Sequence, residues 1–382
     1  MENNNFAKKI IVVGGGLIGV LCSMMLKRNA YEVHYIHSER FSLSNRTYAL
    51  SPSIIKWLKS FNLSKQFLAS LNSVRAIEVF KSVENTQLNF NSNEIDEPAL
   101  AYMVKEHSLL SEFKSKLVDQ TIDSYDQPKS LKIFNGDQSV GITLGDIELK
   151  SSLLIACDGA KSPIRDQLSI EKKTKDFKQT ALVFEFETSK DYSSKAFQFF
   201  LGDSILAILP IKPKLMSVVW SCDNNVFERM QSLNDASFKK ELIAIVGDKF
   251  GKVELISKRE HFPLLMTKVS SFFQKRVLLM GDAAHSIHPL AGQGLNLGIR
   301  DIIELERNIK KSNYLDLGLS GFLRRYERSR RADIQQFSLL TSGLQWIYSR
   351  KSKKVNYLIA KSMNFIEHSD FIKNKLIKRA IS

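Results

Sequence analysis

The sequence predicts an α/β fold, and three observations carry that prediction. Residues 10 to 37 read as a buried strand, a glycine-rich turn, a helix and a second strand. Residues 153 to 165 and 276 to 301 each repeat a short apolar strand, a turn containing Asp and Gly, and a new element. Between them, residues 171 to 262 read as successive strands with few helical signals, as expected of a mainly antiparallel sheet inserted into the first domain.

In the first stretch, IIVVGGGLIGVLCSMML, four apolar residues precede Gly14-x-Gly16-x-x-Gly19 and a helix, and Val33 to His37 form the second strand. This is a Rossmann-like βαβ unit. The first glycine makes the tight turn, the second admits a pyrophosphate, and the third packs helix on sheet. An acidic residue is expected at the end of the second strand to bind a ribose. His37 stands there, with Glu39 two residues later, and either side chain is a candidate for that contact.

Arg46, in NRTYALS, precedes a helix expected from Pro52 to Phe61; it suits a phosphate or a surface salt bridge. Residues 74 to 90 alternate as strand does, and Tyr102 to Leu117 show helical spacing. In LLIACDGAKSPIR, Asp158-Gly159 ends a buried strand on the edge where α/β sheets bind ligands. Cys157 beside it reads as a small buried apolar residue.

The inserted layer comprises ALVFEFE, AFQFFLGDSILAILPI and LMSVVWSC. Its Phe197, Phe199, Phe200, Leu206, Ile208 and Trp220 offer lining for a greasy ring compound, although aromatic residues at strand spacing usually pack as core.

The 276 to 301 stretch, RVLLMGDAAHSIHPLAGQGLNLGIRD, concentrates the chemistry. Its strand, Val277 to Met280, ends at Gly281-Asp282. An ionised Asp there accepts hydrogen bonds only, which suits a polyol, and it also suits the N-cap of a short turn. Pro289, Gly292, Gly294 and Gly298 shape a loop against which a flat group can lie, and a helix starts near Gln293. The unpaired N–H groups and positive dipole end of that helix favour an anionic ring. Two strand-end aspartates and a glycine-rich turn, more than a hundred residues apart, imply one long dinucleotide crossing a single sheet edge.

Composition sets the limits. The 382 residues suffice for about two or three domains. With 43% hydrophobic and 25% charged residues, the chain reads as an ordinary globular enzyme, and no apolar run approaches the ~20 residues of a membrane span. The N-terminus shows no secretory signal, and three widely spaced cysteines (Cys22, Cys157, Cys222) argue for a reducing compartment. We therefore expect a cytoplasmic protein, peripheral to the inner face of the membrane.

The net charge of +15 is uneven, since residues 310 to 382 hold 16 basic and 5 acidic residues. Val355, Ile359, Met363 and Ile366 recur at helical spacing among lysines. Such a basic helix can lie on an anionic membrane, or dock on its own domain or another subunit. His285 and His288 lack the acidic or cysteine partners of a metal site, and no nucleophile elbow supports hydrolysis. No metal and no nucleic-acid partner is expected.

Together, Gly14-x-Gly16-x-x-Gly19, Cys157-Asp158-Gly159 and Gly281-Asp282-Ala283-Ala284-His285 resemble the FAD-dependent aromatic hydroxylases of the para-hydroxybenzoate hydroxylase-like class. Within it, the run from His288 to Asp301 is similar to the signature of the ubiquinone-biosynthesis hydroxylases of the UbiH/UbiI/UbiF type. Gly202 to Pro210, Phe262-Pro263-Leu264, and Tyr326 to Arg331 with Asp333 extend the likeness over nearly the whole chain.

The resemblance implies a flavin C4a-hydroperoxide that inserts one oxygen atom into a polyprenylated phenol, with NAD(P)H as reductant. Gly14, Gly16, Gly19 and Arg46 then hold the ADP half of FAD, Asp158 its middle, and Gly281-Asp282 the ribitol. Pro289, Gly292, Gly294 and Asn296 border the isoalloxazine. No catalytic side chain is assigned, because the flavin carries the chemistry.

Two positions depart from the family pattern. One is His37, and the other is Lys105-Glu106-His107, where the family has a Glu-Asn pair.

The expected division is an FAD-binding domain of residues 1–73, 97–170 and 263–335, a substrate domain of 74–96 and 171–262, and basic C-terminal helices over 336–382. Partners implied are the prenylated phenol, other quinone-biosynthesis proteins, an anionic membrane surface and further copies of the chain. The competing readings are a hydroxylase of soluble phenols and a non-catalytic flavoprotein scaffold.

Overall fold

A computed structural model of the chain describes residues 7–38, 46–82, 85–120, 122–127, 131–286, 293–312, 314–348, 367 and 369–381. Its first layer is a six-stranded sheet in the order Phe273–Gln274, Val277–Leu279, Leu153–Ala156, Lys9–Val13, Glu32–His37, Asp123–Asp126. All neighbours are parallel except the edge hairpin of Phe273–Gln274 and Val277–Leu279. Residues 10–13 and the strands Leu153–Ala156 and Val277–Leu279 are apolar and buried because both faces are covered.

Register sets the site. Val13 lies opposite both Ile36 and Ala156, and Ala156 lies opposite Leu279. Four strands therefore end in line, and the turns that follow them share one edge.

Helix Leu17–Arg28 covers one face of this sheet and packs against helix Gln293–Lys311. Their approach is close at Gly298, where an added Cβ would come 2.7 Å from Ile18 Cδ1.

The second layer is a nine-stranded sheet built around the long strand Lys172–Thr188, which pairs with Leu215–Asp223 on one side and Glu260–Val269 on the other. It is antiparallel except where Lys195–Phe200 meets Ala76–Ser82. Alternation gives it two unlike faces. Leu182, Phe184, Phe197, Phe199, Leu206, Ile208 and Trp220 lie under helices Asn224–Ser232 and Asp235–Val246, whose Met230, Phe238, Leu242 and Val246 complete a core. The opposite face carries Ala181, Val183, Glu185, Ala207, Ser217 and Val219. A small sheet of Thr47–Leu50, Ala101–Lys105 and Asn72–Val74 covers part of that face, through Val74 and Met103 against Ala196 and Leu209.

Several expectations change. The helical reading of 102–117 holds only from Glu106: Tyr102 to Lys105 pair with Thr47–Leu50 and form a strand. The 171–262 region contains two helices, Asn224–Ser232 and Asp235–Val246, and in the second Phe238, Leu242 and Val246 recur every fourth position. Of the six residues offered as pocket lining, Phe197, Phe199, Leu206, Ile208 and Trp220 are helix-covered core, and Phe200 packs on Val79 and Leu88. The boundary expected at 262/263 falls inside strand Glu260–Val269, and that at 335/336 inside helix Ser320–Tyr348.

The final described helix, Asp370–Ile381, docks on the Ser92–Ile95 turn. Lys373 pairs with Glu94 and Glu367, each at 3.1 Å, and Ile377 packs with Ile95 and Leu100. Val355 to Ile366 lie outside the described residues. Among the described residues, no helix is long and apolar enough to cross a membrane, and the three cysteines are buried and unpaired.

Candidate active site

The parallel-sheet edge gathers the turns that the sequence singled out. Gly14 has φ +130°, and an added Cβ would come 2.1 Å from the Cys157 carbonyl oxygen. At Gly19 the same atom would lie 1.8 Å from the Gly14 carbonyl oxygen. Only glycine lets the turn, the helix and the neighbouring strand end meet this closely. Gly16 caps helix Leu17–Arg28 without a side-chain oxygen, and no acidic residue stands in the first turn. The first N–H groups of that helix are thus left for an anion at the sheet edge.

Asp158 follows the Leu153–Ala156 strand on the same edge. Its Oδ2 accepts from the Ile164 N–H at 3.2 Å, while its buried Oδ1 has no hydrogen-bond partner. Burial raises its carboxyl pKa, against hydrogen bonds from Ser162 and Ile164 that lower it.

Gly281, at φ +61°, turns the chain so that Asp282 opens to solvent at the cleft mouth, although protein fills most of the volume around it. Burial raises its carboxyl pKa, and His285 and Arg46 pull it back down. Arg46 therefore lies within electrostatic reach of Asp282, and its guanidinium also sits 5.9 Å from the Phe262 ring centroid on the second sheet.

Beneath this turn lies a buried charge network. Asp301 accepts from the Gly281 N–H at 2.9 Å, from His285 Nε2 at 2.8 Å and from Arg330 Nε at 2.6 Å. Asp333 bridges Arg330 and Arg300. Burial alone would raise the Asp301 pKa, but His285 and Arg330 outweigh it and bring it to about 2. A second buried cation, Arg165, donates to the Ala160 and Ala283 carbonyls, each at 3.0 Å, and so ties the Asp158 turn to the Asp282 turn. Neither support was singled out from the sequence. The available signal was an arginine seven residues after Asp158 and a second Asp at the end of the 288–301 run.

Gly294 stands in the first turn of helix Gln293–Lys311 with open space around its α-carbon. Asn296 is helical and buried. Its amide donates to the Ala49 carbonyl at 2.7 Å and accepts from the Ser51 N–H at 3.1 Å, so it clamps the small sheet to this helix. His37 ends its strand, stacked on Tyr35 with ring centroids 5.0 Å apart. Pro289, Gly292 and Glu39 lie outside the described residues.

The edge thus presents a close-approach glycine cradle, a helix N-terminus without an anionic cap, an orphaned buried carboxylate oxygen and an open strand-end carboxylate. This set fits a long anionic dinucleotide with a polyol segment.

Comparison with known proteins agrees. The family described as FAD binding domain matches residues 7–338. Ubiquinone hydroxylase UbiL of Rhodospirillum rubrum is 25% identical over 382 residues, covering 97% of this chain and 89% of the relative. The 3-demethoxyubiquinol 3-hydroxylase of Escherichia coli is 26% identical over 393 residues, covering 99% of each. Among solved structures, p-nitrophenol 4-monooxygenase PnpA of Pseudomonas putida superposes with a TM-score of 0.78 at 17% identity and 98% coverage of both chains. HpxO of Klebsiella pneumoniae, solved with FAD and uric acid, gives 0.76 at 15% identity, covering 100% of this chain and 99% of that one. The chain belongs to the FAD-binding domain family.

Proposed function

We propose that the chain is an FAD-dependent monooxygenase that hydroxylates the aromatic ring of a polyprenylated phenol in ubiquinone biosynthesis. The observation that carries this reading is the meeting, on one edge, of three strand-end turns built for FAD, beside a sheet face that, among the described residues, neither of the two helices Asn224–Ser232 and Asp235–Val246 covers. The full-length likeness to two hydroxylases of ubiquinone biosynthesis supports the substrate class.

In this reading the Gly14, Gly16 and Gly19 turn and its helix N-terminus hold the pyrophosphate, and Arg46 adds a cation. Asp158 and Asp282 accept from the hydroxyls of the cofactor's sugar and ribitol. Gly281 turns the chain toward the ribitol and Gly294 borders the isoalloxazine, while Asn296 fixes the wall behind it. FAD supplies activated oxygen once a donor, NAD(P)H in this proposal, has reduced it. The chain itself orients the ring, excludes water and holds the Asp282 turn rigid through Asp301 and Arg165.

Phe371, 78% exposed, and the exposed Lys375 and Lys378 share the outer side of the helix that Lys373 and Ile377 dock inward. An aromatic and two cations in that position suit an anionic membrane surface, from which a prenylated substrate is delivered. Removing residues 350 to 382 is expected to weaken sedimentation with anionic vesicles, and salt-insensitive binding of the full chain contradicts the electrostatic part.

The test of function is turnover by purified, FAD-loaded protein with a prenylated phenol and with its tail-less analogue. Faster hydroxylation of the prenylated ring supports the proposal. Equal rates favour a soluble substrate. In cells lacking the protein, a quinone precursor short of one hydroxyl should accumulate. An Asp282→Ala variant that binds no FAD yet sustains quinone synthesis would point to a scaffold.

A further inference from the structure

Lys105 lies on the small sheet, and its partner lies eighty residues away on the other layer. Lys105 ends strand Ala101–Lys105 and caps helix Glu106–Val118. Its Nζ reaches across the cleft to Glu185 of the long strand, donating to Oε2 at 3.3 Å and lying 3.2 Å from Oε1.

Glu185 is an uncommon residue for its place. Its neighbours Phe184 and Phe186 point into the helix-covered core, so its own side chain points to the open face, beside Val183, Ser217 and Leu209. The residue is 9% exposed, and Oε1 is buried with no hydrogen bond, because Lys105 approaches it without hydrogen-bond geometry. A buried carboxylate is costly unless a cation offsets it, and the Lys105 ion pair is that offset here. Lys105 keeps a quarter of its side chain exposed and three donor hydrogens, more than Glu185 consumes.

The surroundings are apolar and partly accessible. On the same face Val183, Val219 and Ile205 are only partly buried, and Phe262 lies opposite Ala181 with Arg46 near its ring. Of the other described titratable groups here, Arg46 lies within electrostatic reach of Asp282, and Tyr48 is engaged with Glu106. The Tyr48 hydroxyl donates to Glu106 Oε1 at 3.0 Å, and the Glu106 N–H donates to the Arg46 carbonyl at 2.9 Å. Burial, with Glu106 beside it, pushes the Tyr48 phenol pKa up, so Tyr48 stays neutral. Among the described residues, Lys105 and Arg46 are cations beside this face, and Lys105 is the one paired to Glu185 on it.

We propose that Lys105 receives the ring oxygen of the phenol substrate and favours its phenolate form, with Glu185 as the positioning residue that holds the ammonium at the cleft wall. A phenolate donates more electron density to its ring than a phenol, which is what attack on an electrophilic oxygen requires. This inference rests on the aromatic-hydroxylase reading and deepens it.

Coulomb's law gives the test a sign. A geranyl-substituted nitrophenol, whose phenolate absorbs visible light, is bound to the FAD-loaded protein and titrated with pH. Lys105→Met leaves Glu185 facing the ring oxygen and should raise the bound phenol's pKa by about one unit. Glu185→Gln, nearly isosteric, removes the opposing charge and should lower it. Lys105→Arg keeps the cation and should stay near wild type.

A strut that merely joins the two layers predicts no movement in any variant. If both charge-removing variants leave the pKa in place, or move it the same way, the inference is overturned. If wild type fails to bind the nitrophenol, the aromatic-hydroxylase reading fails and takes the inference with it.

Discussion

The carboxyl edge of the six-stranded sheet and the second face of the nine-stranded sheet meet at Arg46, within electrostatic reach of Asp282 and 5.9 Å from the Phe262 ring centroid, and they are built by opposite means. At the edge, backbone does the work: glycines at Gly14 and Gly19 allow contacts that no side chain tolerates, and the charged residues lie beneath the turns as braces. On the sheet, side chains do the work. Val219 and Trp220 are adjacent in sequence, yet one faces the cleft and the other lies 1% exposed in the core. The edge is thus sensitive to backbone and buried charge, and the sheet to which of two alternating faces is changed.

The comparison sharpens first at Trp220. Trp220→Ala empties a site against Phe238 and should cost about 4 kcal/mol in denaturant unfolding, with KM for the phenol little changed in the protein that remains folded. A large change in KM at unchanged stability would reverse the assignment of faces.

Asp301→Asn comes next, at about 3 kcal/mol, because it removes the buried carboxylate shared by Arg330 and His285 and leaves Arg330 to Asp333. The pH dependence has a definite sign. The Asp301 pKa, about 2 in the folded chain, lies below its unfolded value of about 4, so its contribution is complete above that value and is lost as pH falls toward 2. Stability measured from pH 5 downward should fall more steeply for wild type than for Asp301→Asn over that window. Parallel curves would show that the network does not brace the turn.

The smallest effect is expected at Val219→Trp. On a partly open face the larger ring should be accommodated with little loss of stability, while KM for a prenylated phenol rises about tenfold, equivalent to about 1.4 kcal/mol. Unchanged KM would place the substrate elsewhere.

These contrasts also explain what was legible in the sequence. The edge was readable because turn chemistry is local: Gly14-x-Gly16-x-x-Gly19, Asp158-Gly159 and Gly281-Asp282 each announce a strand end within a few residues, and the parallel register of Val13, Ile36, Ala156 and Leu279 aligns them. The sheet was readable as strands but not as faces. Period-two alternation in ALVFEFE separates Phe184 and Phe186 from Glu185 without saying which side receives helices. Those helices, Asn224–Ser232 and Asp235–Val246, were not picked out of a region read as mainly strand.

Tertiary pairings left the weakest trace. Lys105 with Glu185, Arg165 with Ala283 and Asn296 with Ala49 join residues separated by 80, 118 and 247 positions, where no local pattern records the contact. Lys105 stood out only as a departure, and its meaning needed the opposite layer.

The central claim is that this cleft brings FAD at the sheet edge to a phenol on the open face. Its most direct test is product analysis of FAD-loaded protein given a prenylated phenol, a reductant and isotopically labelled dioxygen. The account predicts a new ring hydroxyl carrying one labelled oxygen atom. Reductant consumption with peroxide as the sole product, from protein that holds FAD and the phenol together, would contradict it.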